Sequence, residues 1–325
     1  MTLILSRKDV MSVLEMKDCM TVVEKAFAEL SNGTAVLPLR IPITPPNGLA
    51  LYMPAYLKES KALACKVVTV FKNNPANYNM PVTIGKVLLQ DPDTGDVICI
   101  MDGGYLTAVR TGAVSGVATK LLARPDENQI AGIFGTGVQA RMQLWAVAEA
   151  RKLSKAIVFD LNKESADKFA ADMSAKLGIP VIVAENPDEL MVADIICAAT
   201  SASTPIFDGS KVKAGAHING IGSHTPNARE LDTEIIRRSK FVGDSREACF
   251  SEAGDIIIPV KEGAVSESHY YADLGDIITG KKPARENNTE ITLFKSNGLA
   301  IQDVATAKLV YEMAVQKGIG VQVEI

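Results

Sequence analysis

The sequence predicts a two-domain α/β protein, in which a doubly wound parallel sheet is joined to a smaller α+β domain. Three observations carry this prediction. The 325 residues exceed what one ordinary core holds. The middle of the chain alternates short apolar runs with segments of helical period, as parallel strands covered on both faces do. The first third instead places proline-broken, strand-like runs behind one amphipathic segment. The expected boundaries are 1–113 with 303–325 for the smaller domain, and 114–302 for the parallel-sheet domain.

Taken in order, Asp9 to Leu30 carries apolar residues at helical spacing (Val13, Leu14, Cys19, Met20, Val23, Ala26, Phe27, Leu30) and predicts a helix that Asn32-Gly33 ends. Pro38, Pro42, Pro45-Pro46, Pro54, Pro75 and Pro81 then break up short strand-like runs. Leu63 to Phe71 and Ile84 to Leu89 read as strands. Asp91-Pro92-Asp93-Thr94-Gly95-Asp96 is turn chemistry between Val87-Leu88-Leu89 and Val97-Ile98-Cys99-Ile100, which predicts a hairpin. The region is expected to form an antiparallel sheet with a helix on it. Beyond it, strands are expected at 130–134, 156–160, 181–183, 193–199, 216–221 and 240–243, with helices from the 135–140 loop to about Ala150 and over Lys163–Leu177. A last amphipathic helix, Asp303 to Lys317, is expected to return to the first domain.

Composition narrows the function classes. The chain is 47% hydrophobic and 22% charged, with a net charge of −4 and a pI near 5.6. No concentrated basic surface is available for nucleic acid or an anionic membrane. No apolar run approaches the roughly 18 residues of a membrane span. The opening apolar stretch is short and its charges follow rather than precede it, unlike a signal peptide. Cys19, Cys65, Cys99, Cys197 and Cys249 form no C-x-x-C pair, so neither a disulfide framework nor a zinc site is expected, and no metal. A cytoplasmic protein is expected.

The strongest local motif is Gly135-Thr136-Gly137-Val138-Gln139-Ala140, which follows a predicted strand and opens a helix. The first glycine permits a tight turn, and the second lets backbone amides approach a pyrophosphate. The third position must be small for helix and strand to pack. The helix N-terminus then presents unpaired N–H groups to an anion. Asp160 ends the next predicted strand, placed to accept hydrogen bonds from ribose hydroxyls. This order of elements predicts a Rossmann-type dinucleotide domain. Asp160 repels a 2′-phosphate and favours NAD(H), while the nearby Lys163 keeps NADP(H) open.

Further motifs point to a family: Met53-Pro54-Ala55-Tyr56, Lys66 on a strand, Arg110-Thr111-Gly112-Ala113, Ile218-Asn219-Gly220-Ile221-Gly222, Arg229-Glu230-Leu231-Asp232, and Gly298-Leu299-Ala300-Ile301-Gln302-Asp303-Val304-Ala305. With the glycine loop, and in this order, they resemble the ornithine cyclodeaminase/mu-crystallin family over nearly the whole chain. That family also contains an archaeal-type alanine dehydrogenase and cyclic imino-acid reductases. The resemblance implies a homodimer built through the first domain, an active site between the domains, and hydride exchange at the α-carbon of a small amino or imino acid. It implies that Arg40, Lys66 and Arg110 surround the substrate carboxylate and reacting nitrogen. It also places Thr111, Thr200, Ser201, Ile221, Gly222 and Leu299 with the glycine loop among the cofactor-binding positions.

Each of these roles fits the chemistry. A guanidinium grips a carboxylate bidentately. Hydride transfer to C=N is faster when the nitrogen is protonated, and a buried lysine beside other cations has a lowered pKa suited to proton donation. Cyclodeaminases of the family resemble one another in an Asp where this chain has His224 and a Glu where it has Leu51. Losing both acids removes the means to hold and deprotonate a diamine, and argues against ornithine cyclisation. A cyclic imine needs instead an apolar wall, for which Leu51 and Tyr52 are candidates, and a proton source, for which His224 is a candidate beside Lys66. His217 alternates within a predicted strand and is expected in the core or in support of the site. The sequence therefore predicts an NADH- or NADPH-dependent reductase of a small cyclic α-imino acid. An alanine-dehydrogenase-type enzyme is the alternative, with cyclodeamination or cofactor binding without turnover behind it.

Overall fold

The computed structural model describes residues 1–324. The chain divides into two compact units, one of Met1–Arg110 with the chain from Leu299 onward, the other of Thr111–Gly298.

The first unit opens with β1 (Thr2–Leu5), α1 (Arg7–Val13) and α2 (Met16–Ser31). Ser6 and Asp9 form a capping box at the start of α1. The single helix expected over Asp9–Leu30 is thus two. Leu14 and Glu15 take extended backbone between them. The break turns Leu14 into the core along with Val13 and Met16, three side chains too widely spread for one helical stripe.

Then come β2 (Ala35–Val36), β3 (Ile41–Ile43), β4 (Leu49–Leu57), β5 (Ala62–Val70), α3 (Asn74–Tyr78), β6 (Thr83–Gln90) and β7 (Val97–Asp102). Strands β4 to β7 form an antiparallel meander that includes the expected hairpin. The Asp91 carboxylate accepts the Asp93 and Thr94 amides in its turn. Pro54, expected to break a strand, sits inside β4. On the edge of β4 away from β5, β3 pairs only with residues 50–52 and β2 only with 56–57, so the missing N–H of Pro54 falls in the gap. The sheet is mixed rather than wholly antiparallel, because β1 runs parallel to β7. Helix α4 (Gly103–Leu122), not anticipated from the sequence, follows β7 directly, and the division between the units falls within it.

The second unit contains β8 (Gln129–Phe134), α5 (Val138–Ala150), β9 (Leu153–Phe159), α6 (Lys163–Leu177), β10 (Val181–Val183), β11 (Ile195–Ala198), β12 (His217–Gly220), α7 (Thr233–Arg238), β13 (Ser239–Gly243), α8 (Arg246–Glu252), α9 (Gly254–Lys261), β14 (Tyr270–Asp273), α10 (Leu274–Ile278) and β15 (Ile291–Lys295). Its eight strands are ordered β10-β9-β8-β11-β12-β15-β13-β14, and every pair is parallel. This is the doubly wound sheet that the sequence predicts. The chain winds outward from β8 to β10 and then resumes on the other side of β8 at β11. That reversal opens a crevice at the carboxyl ends of the strands. Strands β14 and β15 were not expected. At the start of β14, Tyr270 buries its ring 5.6 Å from that of Phe241 and donates its hydroxyl to Asp273.

The chain ends with α11 (Ala300–Lys317), which packs on β4, β5 and α2, and β16 (Val321–Val323), which pairs with β1. Helix α11 begins three residues before the expected Asp303. Among the described residues no helix is long and apolar enough to cross a membrane, and no cluster of His, Cys, Asp and Glu could hold a metal ion.

Candidate active site

The period of two in β4 and β5 turns Met53, Ala55, Leu57, Ala62, Ala64 and Lys66 toward the helix-covered face of the first sheet. Lys66 is the one charged member of that set. It lies on an interior strand between β4 and β6, 2% exposed, so it is not an edge charge. Facing it, α11 presents Asp303 from its first turn, 0% exposed. The Lys66 Nζ is 2.7 Å from one Asp303 carboxylate oxygen. Arg110, on α4, donates its Nε to the other at 2.9 Å and an Nη to the side-chain oxygen of Gln302.

Burial pushes the Lys66 ammonium down to about 8. Arg110 and Arg40 act in the same direction, and Asp303 opposes them. Lys66 and Arg110 thus share one carboxylate, a surplus of positive charge that a substrate carboxylate would balance. The lowered pKa makes Lys66 a better proton donor than an exposed lysine.

The other predicted residues are distributed as follows. Leu51 pairs with Val68 and Tyr52 with Val67. Within this chain the strand alternation therefore places Leu51 on the Lys66 face of the sheet and Tyr52 on the other. Leu299 is the buried N-cap residue of α11. His224, in the loop after β12, is exposed, with its Nδ1 2.7 Å from the Gly222 carbonyl. A carbonyl only accepts, so Nδ1 carries the proton. His217 is fully buried, bonded to Thr292 and Asn219, and held neutral by desolvation, which drives its pKa to about 3. It supports the strands and exchanges no proton.

The glycine loop occupies the β8–α5 turn. Gly135 has φ +92°, and a Cβ there would lie 2.8 Å from the Ala199 carbonyl oxygen. Gly137 caps α5 with no side-chain hydrogen bond, and a Cβ there would meet no protein atom within 4 Å. The protein's own packing thus gives no reason for a glycine at 137. Open space before free helix N–H groups is what a pyrophosphate needs. Ala140 is fully buried, and Val138 and Gln139 flank the opening. Asp160 follows β9, accepting Thr136 Oγ1 at 2.8 Å and the Asn162 amide at 2.9 Å. The Thr111 carbonyl accepts Gln143. Thr200 and Ser201 follow β11, and Ile221 and Gly222 follow β12, all at the carboxyl edge of the parallel sheet. These residues fit a dinucleotide.

Three residues of this architecture had no predicted role: Gln302 and Asp303, which hold the cations, and Glu230, which is fully buried behind the loops after β11 and β12. Asp303 lies in a motif that carries the resemblance, but an acid in the first turn of a helix is ordinarily read as a complement to the helix dipole, and no role was read from it.

The sequence profile of the ornithine cyclodeaminase/mu-crystallin family matches residues 1–318. The chain is 39% identical over 326 residues to a Δ1-pyrroline-2-carboxylate reductase of Bacillus cereus, covering 99% of each protein. It superposes with a TM-score of 0.95 on the Δ1-pyrroline-2-carboxylate reductase of Thermococcus litoralis in complex with NADH and L-proline, at 50% identity and over 99% of this chain and 100% of that one. An archaeal alanine dehydrogenase dimer with bound NAD superposes with a TM-score of 0.93 at 34% identity, over 100% of this chain and 99% of that one. A profile match across nearly the full length, together with relatives of this similarity, makes this chain a member of the ornithine cyclodeaminase/mu-crystallin family.

Proposed function

We propose that the protein is an NAD(P)H-dependent reductase of a small cyclic α-imino acid, with Δ1-pyrroline-2-carboxylate as first candidate, its six-membered relative as second, and the L-amino acid as product. The observation that carries this reading is the buried cluster of Lys66, Arg110 and Asp303, cationic overall and containing an ammonium with a pKa near 8. The likeness to reductases of this substrate supports it.

Arg110 and Arg40 bind the substrate carboxylate. Asp303 holds Lys66 and Arg110 in fixed geometry, so little reorganisation is needed when substrate arrives. Lys66 polarises the C=N bond and supplies a proton to the ring nitrogen, and His224 is the second candidate proton source. Leu51 offers the ring an apolar surface on the same face as Lys66. When bound, the reduced nicotinamide supplies the hydride that the imine carbon accepts. The second unit holds the cofactor through residues 135–139, Asp160 and the loops at Thr200 and Gly222, and the fixed carboxylate of Asp160 favours NADH.

The first unit carries the substrate and forms a homodimer. Its sheet is covered by α2 and α11 on one face. The other face carries Tyr52, Pro54, Tyr56, Leu63, Cys65 and Val67, an apolar surface of the kind that a second copy covers. Five free thiols support residence in the reducing cytoplasm.

The test is oxidation of NADH and NADPH by the purified protein, with Δ1-pyrroline-2-carboxylate in one reaction and pyruvate plus ammonium in the other. Turnover with the cyclic imine is expected. Turnover only with pyruvate and ammonium would instead make the protein an alanine dehydrogenase, using the same cations on an acyclic imine.

A further inference from the structure

A second buried charge network lies wholly within the parallel-sheet unit. Glu230, between β12 and α7, is 0% exposed. One of its carboxylate oxygens accepts both the amide and the hydroxyl of Thr200, each at 2.6 Å. The other accepts the Gly222 amide at 2.6 Å. Behind it, Asp255 in the first turn of α9 accepts the amides of Glu230 at 2.8 Å and Leu231 at 3.0 Å. The second oxygen of Asp255 is 2.9 Å from Lys295 Nζ at the end of β15, and both side chains are fully buried.

The loops tied by Glu230 are also in van der Waals contact. A Cβ at Gly222 would lie 2.2 Å from the Thr200 carbonyl oxygen and 2.3 Å from the Glu230 carboxylate. A Cβ at Gly135 would meet the Ala199 carbonyl at 2.8 Å and the Thr200 side chain at 3.3 Å. The turns after β8, β11 and β12 therefore form one packed edge that leaves no room for a side chain at either glycine. The Gly222 carbonyl in turn accepts a hydrogen bond from His224 Nδ1–H.

Desolvating a carboxylate is costly, and knitting loops together does not require a charge. What a charge adds is stiffness, because charge-assisted hydrogen bonds are shorter and roughly twice as strong as neutral ones. The sheet order indicates where that stiffness acts. Asp160 follows β9 on one side of β8, and Thr200 and Gly222 follow β11 and β12 on the other. A dinucleotide lying across the switch point with its adenosine at Asp160 places its nicotinamide over the Thr200 and Gly222 loops.

We propose that Glu230 is the positioning residue for the nicotinamide half of the cofactor. It touches neither cofactor nor substrate, and acts through the peptide planes of Thr200 and Gly222. Asp255 and Lys295 brace it from behind. The inference rests on the cofactor reading above.

The test compares NADH with ADP-ribose, which keeps the adenosine, pyrophosphate and second ribose but lacks nicotinamide, by titrating both into full-length wild type, Glu230→Gln and Thr200→Val. In Glu230→Gln an amide group faces N–H donors. NADH affinity is expected to fall by about tenfold to a hundredfold, the scale of lost hydrogen bonds to a charged group, while ADP-ribose affinity stays within about threefold, the context scatter of a single hydrogen bond. Thr200→Val removes the hydroxyl, which donates to Glu230 and accepts the Ala202 amide, but keeps the peptide N–H on Glu230, so a smaller loss is expected, again confined to NADH. It carries the test alone if Glu230→Gln does not fold. Equal losses for both ligands would assign Glu230 to general loop stability and overturn the proposal, as would undiminished NADH affinity in the folded variants. Wild type that binds neither ligand would overturn the cofactor reading itself.

Discussion

At Lys66, three competing effects set the proton affinity: desolvation and the neighbouring arginines lower it, and Asp303 raises it, leaving a pKa of about 8. The sign of the resulting pH dependence follows. Proton delivery needs the ammonium, so imine reduction should decline as the pH rises through about 8. Replacing Asp303 by Asn removes the one stabilising charge, so the declining limb of kcat/KM should move to lower pH. The substrate's own ionisation is common to both enzymes and cancels in the comparison. A limb that stays in place, or moves upward, would show that Lys66 is not the titrating group. Asp160 offers a second test at this scale. Its carboxylate is fixed by Thr136 and the Asn162 amide. Near a surface, two like charges about 4 Å apart interact by about 4 kcal/mol. Asp160→Ser should therefore raise kcat/KM for NADPH by at least about tenfold and change that for NADH less, as measured by steady-state kinetics with each cofactor.

At the scale of elements, α4 couples packing to chemistry. Its first residue, Gly103, lies against the backbone of β6, where an added Cβ would sit 2.8 Å from the Gly85 carbonyl carbon. Arg110 is two helical turns further along, reaching Asp303 on α11. Gly103→Ala forces the helix off the strand, an overpacking of about 1–3 kcal/mol. Both the denaturation midpoint and kcat/KM should fall; a variant destabilised yet fully active would show that the seating of α4 does not set Arg110. The elements also show where sequence reading reached. The hairpin at 91–96 and the strands and helices from 130 to 183 were legible, because alternation, turn residues and helical period agreed locally. Strand β15 was not. It is five residues long and ends in a lysine, which reads as polar punctuation until Asp255 of α9 is seen to pair with it. Strand β14 was hidden for a similar reason, since Tyr270 and Asp273 satisfy one another only in the folded chain. The break at Leu14–Glu15 was masked by a helical period that continues through it.

For the whole molecule, the open face of the first sheet leads to a prediction about assembly. Antiparallel sheets commonly turn one polar face to water, but here that face carries Tyr52, Pro54, Tyr56, Leu63 and Val67. Sedimentation equilibrium should give a mass twice the 34.7 kDa of one chain. A monomer at micromolar concentration would remove the dimer from the proposal and leave the sheet's apolar face unexplained. A partner copy would also cover Tyr52, which the alternation of β4 turns away from the Lys66 face. By itself, the sequence determined the doubly wound sheet and the glycine loop with an acid after the next strand, and its resemblance to the family singled out Lys66 and Arg110. These are written in periodicities of two and 3.6 and in short motifs, which depend on backbone geometry over a few residues. Tertiary structure alone decided that Asp303, 193 residues beyond Arg110, joins the two cations, and that Glu230 ties Thr200 to Gly222. Such pairings depend on which elements pack together, and a buried charge looks like any other acid in the sequence until its partner is brought beside it.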